Sequence, residues 1–404
     1  MTCIREGSGN TSFTLKREMR MKCFGNIVEK IKANKGKTVV ITLAAFVLVC
    51  AVITFSCLGA FVFNRFATGY VVTDPVRQYD RVLIIGVDGM GDYISRMEPG
   101  STPNFDKLFG EGFTTAGGTR INASVTHTGI AVYPTISAQN WTSMFHGVRP
   151  PYHGITGKNS NHDLENGKQT NEKYPSFVKT FLDANPTEKV ISSCTWKAVN
   201  TGAIEDLPQV TKINNDCETV YAVANDELAL GDPDLVAYIK AQTAIDGYAD
   251  ETYMMTDSIT VQRAIDAMQT EDYAITYLHL NQVDSAGHSY GNNKHAYIKA
   301  VSHIDVLIGK LFAAYEAKGW LDSTLFVLCT DHGHRYAKDG TGHGGNSDVE
   351  VTVTFAVAGR TVKQGAPGKY VNTDLAPIVS YALGVKPADT WQGKVPYNMF
   401  IGLE

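Results

Sequence analysis

Two short stretches of this chain concentrate residues able to hold a metal ion. In NQVDSAGHSYG, residues 281–291, Asp284 and His288 stand four apart on what reads as a tight turn. Carboxylate oxygen and imidazole nitrogen both suit zinc-like ions, although the same spacing also serves an ordinary surface ion pair. TDHGH, residues 330–334, directly follows the apolar run TLFVLC, and TGHGG follows at 341–345. A further carboxylate, Asp88, closes the run RVLIIGV. Asp88, Asp284, His288, Asp331, His332 and His343 together make six nitrogen or oxygen donors, three for each of two ions, with room for an exogenous ligand at each. Asp–Gly and His–Gly are also good turn formers. Three such groups, each at the end of an apolar run, are poorly explained as unrelated turns.

A pair of ions needs a reaction to serve. The segment YPTISAQNWTSMFHGVRPPYHGI, residues 133–155, offers a nucleophile. Ser137 precedes 138–146, which can start a helix, and serine is an acceptable cap there. A hydroxyl at a helix N-terminus and beside a metal loses its proton readily and meets an anion where backbone N–H groups welcome one.

The elements that must position these groups read as α/β. RVLIIGV (81–87), KVISSCTW (189–196), YAITYLHL (273–280), TLFVLCT (324–330) and VTVTFAVAG (351–359) are short apolar runs of strand length. Separated by helical stretches, they indicate a parallel sheet covered on both faces. Three of them end in a donor residue at the C-terminal end, where open α/β sheets place their sites. The clearest helix is 295–318, with Ile298, Val301, Ile304, Leu307, Ile308, Leu311 and Phe312 on one face. Asp305 and His303 on that helix read as structural. Residues 156–180 are poor in apolar side chains and suit an insertion or cap over a site.

The chain has 404 residues, enough for one large domain or two ordinary ones. Residues 1–37 carry nine Lys/Arg against three Asp/Glu, near +6, so with a total of −5 the remainder is near −11. Such a remainder repels phosphate except at a local cationic site, and no nucleic-acid partner is expected. Residues 38–63 are apolar throughout, and at about 1.5 Å per residue they can cross a hydrocarbon core of about 30 Å. Lys30, Lys32, Lys35 and Lys37 crowd the N-terminal side of that segment. The positive-inside rule therefore predicts a single-pass type II protein: a cytoplasmic tail 1–37, an anchor 38–63, a stalk 64–80 and an extracellular or lumenal domain 81–404. Of the cysteines on the far side, Cys194 and Cys217 could pair, leaving Cys329 as a buried thiol in LFVLC.

The ordered set VDG, then SAQNWTS with HGVRPPYHGI, then DSAGH, then TDHG, then GHGG resembles the alkaline phosphatase superfamily. Its type I phosphodiesterase/nucleotide pyrophosphatase branch is the nearest match, over roughly residues 81–360. The resemblance implies an alkaline phosphatase-like fold, with a mostly parallel sheet sandwiched between helices. It implies one ion held by Asp284, His288 and His343, and a second by Asp88, Asp331 and His332 with the nucleophile oxygen. The ions would be zinc, with manganese as the alternative. The nucleophile falls on Ser137, and Asn140 falls on an asparagine that helps hold the phosphoryl oxygens. The family commonly has threonine in a TFPN context, so Thr135 is an alternative nucleophile here. His334 competes with His343 as third ligand, but its closeness to His332 favours His343. The implied activity is hydrolysis of a small-molecule phosphodiester or nucleotide pyrophosphate through a seryl-phosphoryl intermediate. A phosphomonoesterase of the same superfamily and a non-catalytic ectodomain are the alternatives. Sulfatases resemble Cys/Ser-x-Pro-x-Arg at the nucleophile, which SAQN does not match. Asn122 and Asn140 both head formal glycosylation sequons, and a site role for Asn140 requires that it be buried and unmodified.

Overall fold

Apolar runs of five to eight residues become strands here because each is buried on both faces. The computed structural model describes residues 69–244 and 252–403. The basic tail, the apolar segment 38–63 and the start of the stalk lie outside the described residues, and among those described no helix is long and apolar enough to cross a membrane. The strands are β1 (Gly69–Tyr70), β2 (Arg81–Val87), β3 (Phe113–Thr114), β4 (Arg120–Ile130), β5 (Val190–Cys194), β6 (Val210–Asn214), β7 (Ile275–Leu280), β8 (Thr324–Thr330), β9 (Thr352–Gly359) and β10 (Val395–Pro396). Six helices matter for the site and its support: α1 (Ser137–His146), α2 (Phe177–Ala184), α3 (Thr252–Thr270), α4 (Gln282–Tyr290), α5 (His295–Ala317) and α6 (Leu375–Ala382).

Eight strands form one sheet in the order β3-β4-β9-β8-β2-β7-β5-β6. From β8 to β6 every pairing is parallel. On the other side β9, β4 and β3 pair antiparallel. The sheet is therefore mixed, and β9, read from its apolar run as one more parallel strand, runs the other way. An apolar run reports burial on both faces and carries no direction. β4 and β6 escape the sequence pattern because polar residues interrupt both, as in RINASVTHTGI and VTKIN.

Side chains of β2 alternate between two cores. Val82 and Ile84 pack in the layer with α1, α2 and α6, while Leu83, Ile85 and Val87 pack with α3 and α5. Gly86 lies level with His279 and Cys329, and Val87 with Leu280 and Thr330, so the three central strands end together. The segments that leave those ends carry the candidate donors.

Several expectations need correction. Residues 69–80 are part of the domain rather than a free stalk: β1 pairs with β10, Gln78 N and Tyr79 N both bond to Ala382 O, and Tyr79 is buried. Asp284 and His288 sit on a nine-residue helix, α4, instead of a tight turn. Ile298, placed on the apolar face of α5, is 36% exposed, and Tyr297 takes the buried position beside it. Cys194 and Cys217 are free thiols. Cys194 faces the packed layer that also holds Trp141, whereas Cys217 begins the helix Cys217–Ala224, whose valines belong to a separate small core. Cys329 is buried as read. Asp305 is structural, accepting from Phe105 N at 2.7 Å and Asn104 Nδ2 at 2.9 Å.

Candidate metal centre and nucleophile

Asp88 follows β2, Asp331 and His332 follow β8, and Asp284 lies in the first turn of the helix that follows β7. The parallel register makes neighbours of residues hundreds of positions apart. His343 reaches the same place from the loop before β9. Its Nδ1 donates to Thr135 O at 2.6 Å, while Thr135 Oγ1 accepts from Gly344 N and donates to Gly345 O, both at 2.9 Å. Thr135 is therefore a staple for the GHGG loop, with its hydroxyl already committed, and Ser137 is the free candidate.

The donors form two sets. Asp284 Oδ1 lies 3.6 Å from both His288 Nε2 and His343 Nε2, and the two imidazole nitrogens are 3.1 Å apart. In the second set, His332 Nε2 lies 3.6 Å from Asp88 Oδ1, 3.1 Å from Asp331 Oδ2 and 3.0 Å from Ser137 Oγ, which is itself 3.4 Å from Asp88 Oδ1. Tetrahedral zinc bound at about 2.0–2.1 Å holds its ligands roughly 3.3–3.4 Å from one another, so both sets match its spacing. The tautomers agree with this. Nδ1 of His343 and Nδ1 of His332 donate to backbone carbonyls, the latter to Gly333 O at 3.2 Å, which turns each neutral Nε2 lone pair toward the centre. Asp331 Oδ2 is buried with no hydrogen-bond partner. A buried carboxylate oxygen facing only lone pairs suits a cation.

Charge tells the same story. Burial, reinforced by the neighbouring Asp88 charge, pushes the Asp331 carboxyl well above its ordinary range. Burial also drives the His332 and His343 imidazoles down toward the neutral form that ligation requires. Burial acts on Asp284 in the raising direction too, but the hydrogen bond from His334 and the charges of three histidines outweigh it and hold that carboxyl well below its usual range.

Ser137 occupies the first helical position of α1 and makes no cap bond. Its hydroxyl turns to His332 and Asp88 instead. Three amides of that turn are engaged: Ala138 N donates to Asn161 Oδ1 at 3.0 Å, and Gln139 N and Asn140 N both donate to Ile136 O. The segment read as a cap thus packs on this turn, where Gln139 Nε2 also holds Gly157 O and Ser160 Oγ.

Asn140 is placed differently from the role implied for it. Its Oδ1 accepts from Val132 N at 2.7 Å and Asn372 Nδ2 at 3.2 Å, and its Nδ2 donates to Val132 O, Pro134 O and Ile136 O. One turn along α1, its side chain points back into the loop that precedes Ser137, so no part of it is left for a phosphoryl oxygen. It is fully buried, which leaves no room for a glycan.

Contacts of three residues escaped the sequence reading. His279 Nε2 and Trp141 Nε1 both donate to Asp88 Oδ2, at 3.1 and 2.8 Å. Asn372 Nδ2 donates to Asp331 O at 2.8 Å. A histidine inside an apolar strand and an asparagine 41 residues past Asp331 carry no local signal of such contacts. His334 does lie in the site, donating to Asp284 Oδ1 at 2.7 Å, a direct hydrogen bond and shorter than ligand spacing. The glycine of DSAGH follows from this: a Cβ on Gly287 would sit 2.7 Å from His334 Nδ1 and closer still to the ring carbons.

A mixed sheet with acidic and histidine donors gathered at three parallel strand ends is the architecture of the alkaline phosphatase-like fold. Among solved structures, the alkaline phosphatase PafA superposes with a TM-score of 0.59 at 15% identity, covering 81% of this chain and 100% of that one. Murine ectonucleotide pyrophosphatase/phosphodiesterase 5 gives 0.52 at 12%, covering 79% and 97%. By sequence, the chain belongs to the type I phosphodiesterase / nucleotide pyrophosphatase family, which it matches over residues 82–346. It is 32% identical over 85 residues to GPI ethanolamine phosphate transferase 2 of Aspergillus fumigatus, 21% of this chain and 11% of that protein. It is 25% identical over 162 residues to GPI ethanolamine phosphate transferase 1 of Candida glabrata, 36% and 18% respectively. The chain thus matches less than a fifth of the length of these relatives.

Proposed function

We propose that this protein is a metal-dependent phosphodiesterase or nucleotide pyrophosphatase that cleaves its substrate through a covalent phosphoryl–Ser137 intermediate. One observation carries the reading: a helix-starting serine whose hydroxyl caps nothing and instead lies 3.0 Å from His332 Nε2 and 3.4 Å from Asp88 Oδ1. Asp284, His288 and His343 would hold one divalent ion, and Asp88, Asp331 and His332 the other, as zinc or manganese. When bound, such a pair neutralises phosphoryl charge and lowers the pKa of bound water and hydroxyl groups. Ser137 Oγ lies 3.0 Å from His332 Nε2 and 3.4 Å from Asp88 Oδ1, so beside an ion held by those two residues it would give up its proton readily and turn a lone pair to phosphorus. Attack forms the Oγ–P bond and breaks the P–O bond to the leaving alcohol or phosphate, which takes up the proton that Ser137 loses. Water arriving on the side of Asp284 and His288 then bonds phosphorus through its oxygen, the Oγ–P bond breaks, and one proton of the water passes to Ser137. His288 is the most exposed of the donors, its side chain 53% accessible, and so marks the open side. Residues 38–63 would anchor the domain to a membrane with the site outside the cytoplasm.

A second reading differs only in the last step. The transferases that the chain resembles move phosphoethanolamine, as their names state, and an alcohol in place of water would make this site a transferase. The test uses the full chain in detergent, assayed with bis-p-nitrophenyl phosphate and p-nitrophenyl phosphate, with zinc or EDTA and with Ser137→Ala. Diester preference, abolished by EDTA and lowered at least about 1000-fold in the variant, is the expected result. Monoester preference moves the assignment to a phosphatase. Turnover unaffected by Ser137→Ala overturns the nucleophile.

A further inference from the structure

Two buried histidines beside the proposed ligands each bond a carboxylate of the centre, His279 on the oxygen turned away from the other donors and His334 on the oxygen that faces them. His279, on β7, and His334, past β8, are both fully buried. Each gives its Nε2–H to a donor-set carboxylate, His279 to Asp88 Oδ2 at 3.1 Å and His334 to Asp284 Oδ1 at 2.7 Å. Each also leaves Nδ1 buried without a hydrogen-bond partner. An unpaired polar nitrogen in the interior is destabilising, and an apolar side chain of similar size would avoid that cost. Other buried polar atoms also lack a partner, but among the described residues these are the two histidine nitrogens so left, and both rings bond carboxylates of the centre, which points to a task for the paired nitrogen.

We propose that His279 and His334 are positioning residues, each fixing the orientation of one metal-holding carboxylate, an inference that rests on the two-ion reading above. The Asp88 case shows what is gained. With Trp141 Nε1 and His279 Nε2 both on Oδ2, only Oδ1 faces Ser137 and His332, so this carboxylate is directed to offer a single oxygen. The rings are themselves held. His279 makes an edge contact with Trp141, at 5.0 Å between centroids, and a tilted one with Trp196, at 5.9 Å. His334 is hemmed in by Gly287 and by the main chain at Gly89, where a Cβ would lie 2.8 Å from its Nε2, and its carbonyl is held by Asn292 Nδ2. Neither histidine touches substrate or ion in this scheme. Each acts through the aspartate it supports.

The experiment strips the full chain of metal and titrates it with zinc against a chromophoric chelator, reading stoichiometry and affinity. Wild type is compared with His279→Gln, His279→Leu, His334→Gln and His334→Leu, and thermal melts confirm that each folds. Glutamine can still donate an N–H to the carboxylate but is a poor zinc ligand, whereas leucine keeps volume alone. Wild type should take up two ions. Each leucine variant should bind one of them about 10–100-fold more weakly, as loss of an outer-shell partner does, and each glutamine variant should stay close to wild type. Leucine variants that titrate like wild type overturn the proposal. Equal loss in His334→Gln and His334→Leu overturns it for His334, which would then be a ligand itself. Wild type that takes up no ion is a different failure, that of the two-ion reading.

Discussion

At the scale of single residues, Ser137 faces the donors as expected of a nucleophile, while Asn140 turns away from the task implied for it. A serine before a helical segment reads as a cap, but Ser137 stands one position inside α1 and its hydroxyl leaves the backbone for His332. The asparagine three residues on, implied to hold substrate, spends its amide on the loop 132–136 and on Asn372. That loop delivers both Ser137 and the Thr135 carbonyl that orients His343, so Asn140 holds the proposed nucleophile and a proposed ligand from behind. Asn140→Ala would strand the Val132 N–H and several carbonyls in the interior, an expected loss of about 2–4 kcal/mol in urea unfolding. A residue that only touches phosphoryl oxygens at a solvent-filled site would lose activity with stability intact. A variant as stable as wild type but inactive would restore the substrate role.

Among the elements, strand ends were legible and strand direction was not. Continuous apolar runs located β2, β7 and β8, and a donor just past each run marked the end of the sheet that carries the site. Chain direction, which decides whether β9 brings its N- or C-terminal end there, leaves no mark on hydropathy. Nor does partnering across the sheet, so His279, Trp141 and Asn372 emerged only once the strands were in register. DSAGH misled for a related reason, since a glycine in a short stretch with aspartate, serine and histidine is ordinary turn chemistry. In α4, Gly287 instead gives the His334 ring space, and a methyl group there would meet the ring at 2.7 Å from Nδ1. Gly287→Ala is therefore expected to destabilise by about 1–3 kcal/mol, as overpacking does, even though alanine is the better helix former. It should also weaken zinc uptake by pushing His334 away from Asp284. Urea midpoints and zinc titration check both effects, and a stabilised variant with normal uptake would mean that the ring has room to move.

Across the whole molecule, the −5 balance conceals carboxylates that are charged only at a cost. Asp374 starts α6 and ties two distant segments by accepting from Lys394 N at 2.8 Å and Val371 N at 2.9 Å. Burial raises its carboxyl to about 7 despite those bonds and the nearby Lys394 charge. Asp257, which accepts from Asn281 N and Gln282 N at the start of α4, is raised by burial to about 6. The folded state therefore holds these protons more tightly than the unfolded chain, whose carboxyls titrate near the ordinary 3.8. Their contribution to stability is complete below that value and is lost as pH rises through the folded values. His153 works in the opposite sense. Burial lowers its imidazole from the ordinary 6.5 to about 3, so its contribution is present above about 6.5 and is lost as pH falls from there toward about 3. The two trends offset each other in a bare stability profile, and only a difference between proteins separates them. Asp374→Asn removes one titration and adds a constant cost, because its new NH₂ must face an amide donor. Unfolding free energies of wild type and variant, measured in urea with chelator present, should change relative to each other by up to about 1.4 kcal/mol per pH unit. The change should run in favour of the variant between roughly pH 4 and pH 7 and level off above. A difference that stays flat across that window would show that the domain hydrates Asp374, and that α6 is joined to the C-terminal segment less tightly than the two hydrogen bonds imply.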